Sequence, residues 1–324
     1  MKKPALLVGV CLLAGGTPAL GEGPGAGAAA QSAVTPPEPQ RLNRVIELLE
    51  RDQPVYYTQT TTFTREEGLR LAQTEADYIT LEMEHGAFDM NGLRAFMEGL
   101  VEGGPTRSGH RIPAVIVALP VLGTDEATTR ANAWMIQQVL AAGVHGILLC
   151  HARDPEAARA MIEASRYPFA PEVAGLDRGF RGSGSQNFAA RIWGISPTEY
   201  LQKADPWPLN PDGELFFGVK IEDSYALDNA GATTKIPGIA FAEWGPGDMG
   251  FWLLGLPQRG VNAQQEAQMQ AARARVFQAT RDAGISFLNT CNDNNAAAMI
   301  DEGVRICTGG WKAGRAHTNR QMPW

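Results

Sequence analysis

Eight short runs of apolar and β-branched residues, most of them separated by stretches with helical spacing, constrain this chain more than any other feature. The runs are "VYYTQTTTF", "YITLEM", "PAVIVAL", "HGILLC", "LFFGVKIE", "GIAFAEW", "ISFLN" and "GVRICTG". Helical patterns cover 66–75, 90–102, 129–142, 155–165, 224–230 and 263–283, and "RLNRVIELLERDQP" adds a helix with a proline stop ahead of the first run. Strands that read as hydrophobic runs and alternate with helices form a parallel sheet covered on both faces. Eight such strands close a (β/α)8 TIM barrel, and about 280 residues after the N-terminal stretch is an ordinary length for one. An open doubly wound sheet is the competing architecture. It would normally bring a glycine-rich phosphate loop after an early strand, and the sequence has none.

A barrel of this kind carries its chemistry at the carboxyl ends of the strands. The second run ends on Glu82, Glu84 and His85, the fourth on Cys150 and His151, the fifth on Glu222 and Asp223, and the sixth on Glu243 and Asp248. Acids recur at three ends with no basic cluster to neutralise them, a pattern that hard oxygen ligands around a divalent cation would account for. In "EWGPGDMG", Gly245 and Gly247 either let backbone amides approach a ligand carboxylate or serve a tight turn that requires positive φ. Lys220 alternates with Ile221 and is placed to point into the barrel toward an acid. Trp193 and Tyr200 have the spacing of packing anchors.

Composition narrows the partners. With 44% hydrophobic and 19% charged residues the chain is an ordinary globular protein, and a net charge of −7 without a Lys/Arg block argues against nucleic acid or an anionic membrane. The start, "MKKPALLVGVCLLAGGTPALG", has a basic end, an apolar run too short to span a bilayer and a small-residue cleavage site. Residues 1–21 are therefore expected to be a secretory signal, 22–40 a flexible leader and 41–324 the barrel domain, with a periplasmic or secreted product. Beyond the signal, Cys150, Cys291 and Cys307 follow apolar stretches, and are expected as small buried residues rather than a disulfide framework.

Four segments, in order between about residues 54 and 310, carry a resemblance: "LEMEHGAFD", "MIQQVLAAGVHGILLCHARDPEAARAMIEASRYP", "RGFRGSGSQNFAARIWGISPTEYLQKAD" and "VKIEDSYALDNAGATTKIPGIAFAEWGPGDMG". Together they resemble the HpcH/HpaI aldolase and citrate lyase family, metal-dependent class II aldolases that act through pyruvate enolate chemistry on a barrel of the phosphoenolpyruvate/pyruvate-domain type. The resemblance implies Mg²⁺ or Mn²⁺ held by Glu222 and Asp248, and His85 as catalytic base. Glu82 stands where the family has an aspartate that orients that histidine. It also implies a small 2-keto acid as substrate; a homo-oligomer is expected. Three departures stand out. The third strand ends on Ala118 and Leu119 where the family has an arginine, the insertion "VLGTDEATTR" follows it, and Lys220 replaces a glutamine two residues before the first metal ligand. Arg130, Arg178, Arg181 or His151 are the candidates to supply the missing contact to substrate.

The expected function is an exported metal-dependent carbon–carbon lyase of the aldolase type. The alternatives are a divergent lyase or hydrolase with a non-pyruvate substrate, and a periplasmic protein that binds an acidic metabolite without turnover. Retention of His85, Glu222 and Asp248 together favours an enzyme.

Overall fold

The computed structural model describes residues 41–255 and 262–320; the expected signal (1–21) and leader (22–40) lie outside the described residues. All eight expected strands form, at Val55–Thr60, Tyr78–Glu82, Ala114–Ala118, Gly146–Leu149, Leu215–Ile221, Ile239–Trp244, Ser286–Asn289 and Ile306–Cys307. Every neighbouring pair is parallel, and the sheet closes on itself: Leu148 pairs with Gly218 between the fourth and fifth strands, and Val55 with Ile306 between the first and eighth. The fold is a (β/α)8 barrel. A two-residue ladder at Pro206–Trp207 also pairs with the start of the fifth strand.

The unbroken hydrophobic runs follow from burial on both faces. Ile79, Leu81, Val115, Val117, Leu149 and Val219 belong to the apolar layer under the helices, while Tyr57, Tyr78, Ile116, Leu148, Phe216 and Phe241 fill the barrel. Because side chains alternate along a strand, the inward face of the fifth strand reads Phe216, Gly218, Lys220 and, just past its end, Glu222. Gly218 is small because Phe241 crosses the barrel there: a Cβ would lie 2.2 Å from that ring. The Phe241 ring stacks on Phe216 with centroids 4.8 Å apart. The interior thus turns from aromatic to charged within one strand.

The helices at Pro155–Ser165 and Ala263–Ala283 match expectation, and the pattern at 129–142 divides at Asn132 into Glu126–Ala131 and Ala133–Ala141. Helices at Gln186–Trp193, Pro197–Lys203, Pro246–Leu254, Ala296–Glu302 and Trp311–His317 were not legible beforehand. Trp193 and Tyr200 are packing anchors, as expected. Both are buried, with Trp193 Nε1 donating to the Gly143 carbonyl at 2.8 Å and the Tyr200 hydroxyl to that of Leu140 at 3.1 Å.

One expectation is corrected. Cys291 and Cys307 form a disulfide, and only Cys150 remains as a buried free thiol among the described residues. The seventh and eighth strands are partners, with Asn289 opposite Cys307, so a cysteine two residues past the seventh strand arrives beside the end of the eighth. The bridge closes a separation of 16 residues, for which loop entropy gives about 3 kcal/mol. Replacing both cysteines with alanine is expected to lower the unfolding free energy by about 2–4 kcal/mol in urea titrations. An unchanged midpoint would show that the bridge does not form in the folded protein.

Candidate active site

The second strand delivers its acids through a tight turn. Glu82 Oε1 accepts the backbone N–H groups of Glu84 at 2.7 Å and His85 at 3.2 Å, so this carboxylate folds its own loop. Glu84 points inward and His85 outward: the Glu84 side chain is 4% exposed and that of His85 64%. His85 Nδ1 lies 3.6 Å from Glu82 Oε1 and 3.8 Å from Glu84 Oε2.

The end of the fourth strand meets the end of the fifth. His151 adopts φ 44°, a left-handed conformation uncommon for a residue with a side chain. In that conformation its N–H donates to Glu222 Oε1 at 3.0 Å. Its Nδ1 is 2.8 Å from Asp223 Oδ2, and a carboxylate can only accept, so the proton is on Nδ1. Nε2 then faces Glu84 Oε1 at 3.7 Å and Glu222 Oε1 at 3.8 Å. Asp223 is also the N-cap of the helix Ser224–Thr233, its Oδ1 accepting the Ala226 N–H at 2.9 Å, and Arg153 Nε reaches Oδ2 at 2.8 Å. The hydrogen bond to Asp223 raises the His151 pKa, against the effect of its burial. Burial works against ionisation of Asp223 as well, but its bonds from His151, the Ala226 N–H and Arg153 bring it down to about 2.

Beneath these groups the fifth and sixth strands pair Lys220 with Glu243. Lys220 Nζ is 3.0 Å from Glu222 Oε2 and 3.5 Å from Glu84 Oε2. The first contact is an ion pair without hydrogen-bond geometry, and Glu222 Oε2 has no hydrogen-bond partner although Glu222 is fully buried. Burial would lower the Lys220 pKa, but Glu243, Glu222 and Glu84 carry it well above the ordinary lysine value. Glu243 is pushed up to about 7 by burial, with Lys220 opposing. Two groups of three have donor atoms that all lie within 4.8 Å: Glu84, His151 and Glu222, and Glu82, Glu84 and His85. Carboxylates outnumber cations here, and the donors suit a divalent metal ion.

No protein-family profile matches the chain. Among curated proteins it is similar to a hydroxypyruvate/pyruvate aldolase of Deinococcus radiodurans, 26% identical over 64% of this chain and 63% of the relative. It is also similar to one of Roseovarius nubinhibens, 26% identical over 68% of this chain and 72% of the relative. The match thus spans less than two thirds of the first of these relatives. Among solved structures it superposes on an HpcH/HpaI aldolase/citrate lyase family protein from Burkholderia cenocepacia with TM-score 0.63 and 21% identity, covering 86% of this chain and 96% of the other. An HpcH/HpaI aldolase from Desulfitobacterium hafniense gives 0.59 and 18%, over 85% and 93%. The chain is similar in fold to the HpcH/HpaI aldolase/citrate lyase proteins.

In this HpcH/HpaI-like barrel the expected residues divide. Glu222, His85, Glu82 and His151 converge; Glu84, Asp223, Lys220 and Arg153 join them. Asp248 lies half-buried in the first turn of the helix Pro246–Leu254 and belongs to neither group of three. Its helix does begin against the site. A Cβ on Gly245, the N-cap, would lie 2.6 Å from Glu222 Cβ and 2.8 Å from Glu222 Oε2, so Gly245 is needed for close packing. Neither Gly245 nor Gly247 has positive φ, and a Cβ on Gly247 would meet open space, so the tight-turn reading does not hold.

The arginines go elsewhere. Arg130 is tied to Glu126 at 2.7 Å and to the buried Glu163 at 2.6 Å, Arg181 donates to the Tyr200 hydroxyl, and Arg178 to the Pro168 carbonyl. Arg130 is therefore held in a helix-side ion pair and not brought into the cluster, since Glu163 is a fully buried acid that needs a cation. Asp223 had a signal in the sequence as the acid before a helical stretch, where N-caps occur.

The His151–Asp223 pair fixes a pH dependence. The contribution from His151 is complete below about pH 6.5 and is lost as pH rises through its raised value; that from Asp223 is complete above about pH 3.9 and is lost as pH falls through about 2. Asp223→Asn is expected to return the His151 titration, followed by NMR of the imidazole protons in metal-free protein, toward 6.5. An unaltered titration curve would remove Asp223 as its cause.

Proposed function

We propose that this chain is an exported, divalent-cation-dependent carbon–carbon lyase of the aldolase type that acts on a 2-keto acid. The observation that carries the reading is the convergence of Glu84, His151 and Glu222 from the ends of three strands, with donor atoms all within 4.8 Å of one another. The names of the relatives support the substrate class: hydroxypyruvate/pyruvate, 4-hydroxy-2-oxovalerate and 2-keto-3-deoxy-L-rhamnonate aldolases. Glu222 and Asp248 remain the ligands the resemblance implies, with Glu84 and His151 as further donors; an imidazole among the donors favours Mn²⁺ over Mg²⁺. When bound, the cation would supply Lewis-acid stabilisation of the negative charge that develops on the keto acid as its C–C bond breaks.

The chain's own groups handle the proton and the geometry. His85, exposed at the mouth beside Glu82 and Glu84, takes the proton from the substrate hydroxyl and passes it to solvent, and solvent supplies a proton to the keto-acid carbon at which the C–C bond broke. Glu82 sets the turn on which His85 rides. Asp223 and Arg153 fix the plane and tautomer of His151, so its Nε2 faces the two carboxylates. Gly245 leaves room for the Glu222 carboxylate at the start of the next helix.

Mn²⁺-loaded protein is expected to release pyruvate from 4-hydroxy-2-keto acids. His85→Ala should lower kcat by about 10²–10⁴-fold while retaining Mn²⁺ binding, whereas Glu222→Gln, Glu84→Gln and Asp248→Asn should each weaken Mn²⁺ binding in calorimetry. Mn²⁺ bound by the parent with no turnover of any keto acid would favour the divergent lyase or hydrolase with another substrate, or the non-catalytic binding protein.

The export part of the reading rests on residues 1–21 and is supported by the Cys291–Cys307 bridge, since disulfides persist in oxidising compartments. Mass spectrometry of protein from a secreting host should find an N-terminus near Glu22. Soluble cytoplasmic protein beginning at Met1 would refute it.

A further inference from the structure

Lys220 stands where the resemblance has a neutral glutamine, and the geometry gives that difference a role. The two central carboxylates each divide their oxygens between opposite faces. Glu84 Oε2 and Glu222 Oε2 face Lys220 Nζ at 3.5 and 3.0 Å, while Glu84 Oε1 and Glu222 Oε1 face His151 Nε2 at 3.7 and 3.8 Å. The Lys220 side chain is 14% exposed, so little water shields its charge. The other fixed cation nearby, Arg153, bonds to Asp223 and not to this pair.

We propose that Lys220 is an internal counter-cation that holds Glu84 and Glu222 side by side and, in doing so, weakens the binding of a divalent ion to them. Two carboxylates this close repel, and an ammonium between their Oε2 atoms offsets that repulsion before any metal arrives. The same ammonium repels a second cation drawn to the same carboxylates, across an interior where charges are poorly screened. Lys220 is thus a positioning residue: it organises the ligands in advance and sets their affinity low, so that bound metal exchanges readily. The sign is what separates this from a structural role, because simple damage to the barrel floor loosens metal binding, whereas removal of a competing charge tightens it.

This inference rests on the metal reading above, and one calorimetric series separates the two. Mn²⁺ titrations compare the parent with Lys220→Gln, Lys220→Met and Lys220→Arg, and thermal melts follow each without and with Mn²⁺. Both neutral variants are expected to bind Mn²⁺ about ten- to a hundredfold more tightly than the parent. They should melt at lower temperature without metal and recover with it; Lys220→Arg should stay near the parent. If Lys220→Gln fails to fold, the Lys220→Met variant, of similar length and apolar, is read in its place. Parent that binds Mn²⁺ with neutral variants no tighter overturns the role of Lys220 alone. Absence of Mn²⁺ binding in the parent and in every variant overturns the metal reading and this inference together.

Discussion

Carboxylates repel one another, and this barrel gathers Glu82, Glu84, Glu222, Asp223 and Glu243 at one end. The site depends on how that repulsion is relieved, and each acid has a different answer. Glu82 is held by backbone amides of its own turn, and Asp223 by an imidazole, a guanidinium and a helix amide. Glu84 and Glu222 share an ammonium, and Glu243 keeps a proton until about neutral pH. Among these acids, Glu84 and Glu222 also stand with His151 in a group whose donor atoms lie within 4.8 Å of one another, as do Glu82 and Glu84 with His85.

The barrel was legible because strands buried on both faces must be apolar at nearly every position, which leaves a signal no loop imitates. The helix at Pro246–Leu254 was hidden because it opens Pro-Gly, residues that read as a turn, although proline at the first helical position is favoured. The disulfide was hidden by register: consecutive barrel strands are neighbours, but nothing in the sequence says that Asn289 pairs with Cys307 and so brings Cys291 beside it. Arg130 is a different case, since Glu126 four residues before it is an ordinary helical ion-pair spacing and a fair warning that this guanidinium was already engaged.

At the site, residue types were legible and so, in part, were directions. "EMEH" announces a carboxylate–imidazole station, and alternation from Tyr78 carries Glu84 inward and His85 outward; what it does not tell is that Glu82 spends its carboxylate on the amides of the turn. The relatives share the fold at identities near one in five, so the local departures matter more than the family pattern. Ala118 and Leu119 leave the third strand without a cation, and Lys220 places one on the fifth.

Asp223 serves two masters with its two oxygens, one opening the helix Ser224–Thr233 and one gripping His151. Folding and function therefore share a hinge pin. The first turn of that helix, which packs on the helix Ala263–Ala283, and the imidazole that faces the two central acids are both held by one side chain. Packing on the far side of that helix is thereby linked, through one carboxylate, to the orientation of an imidazole it never touches.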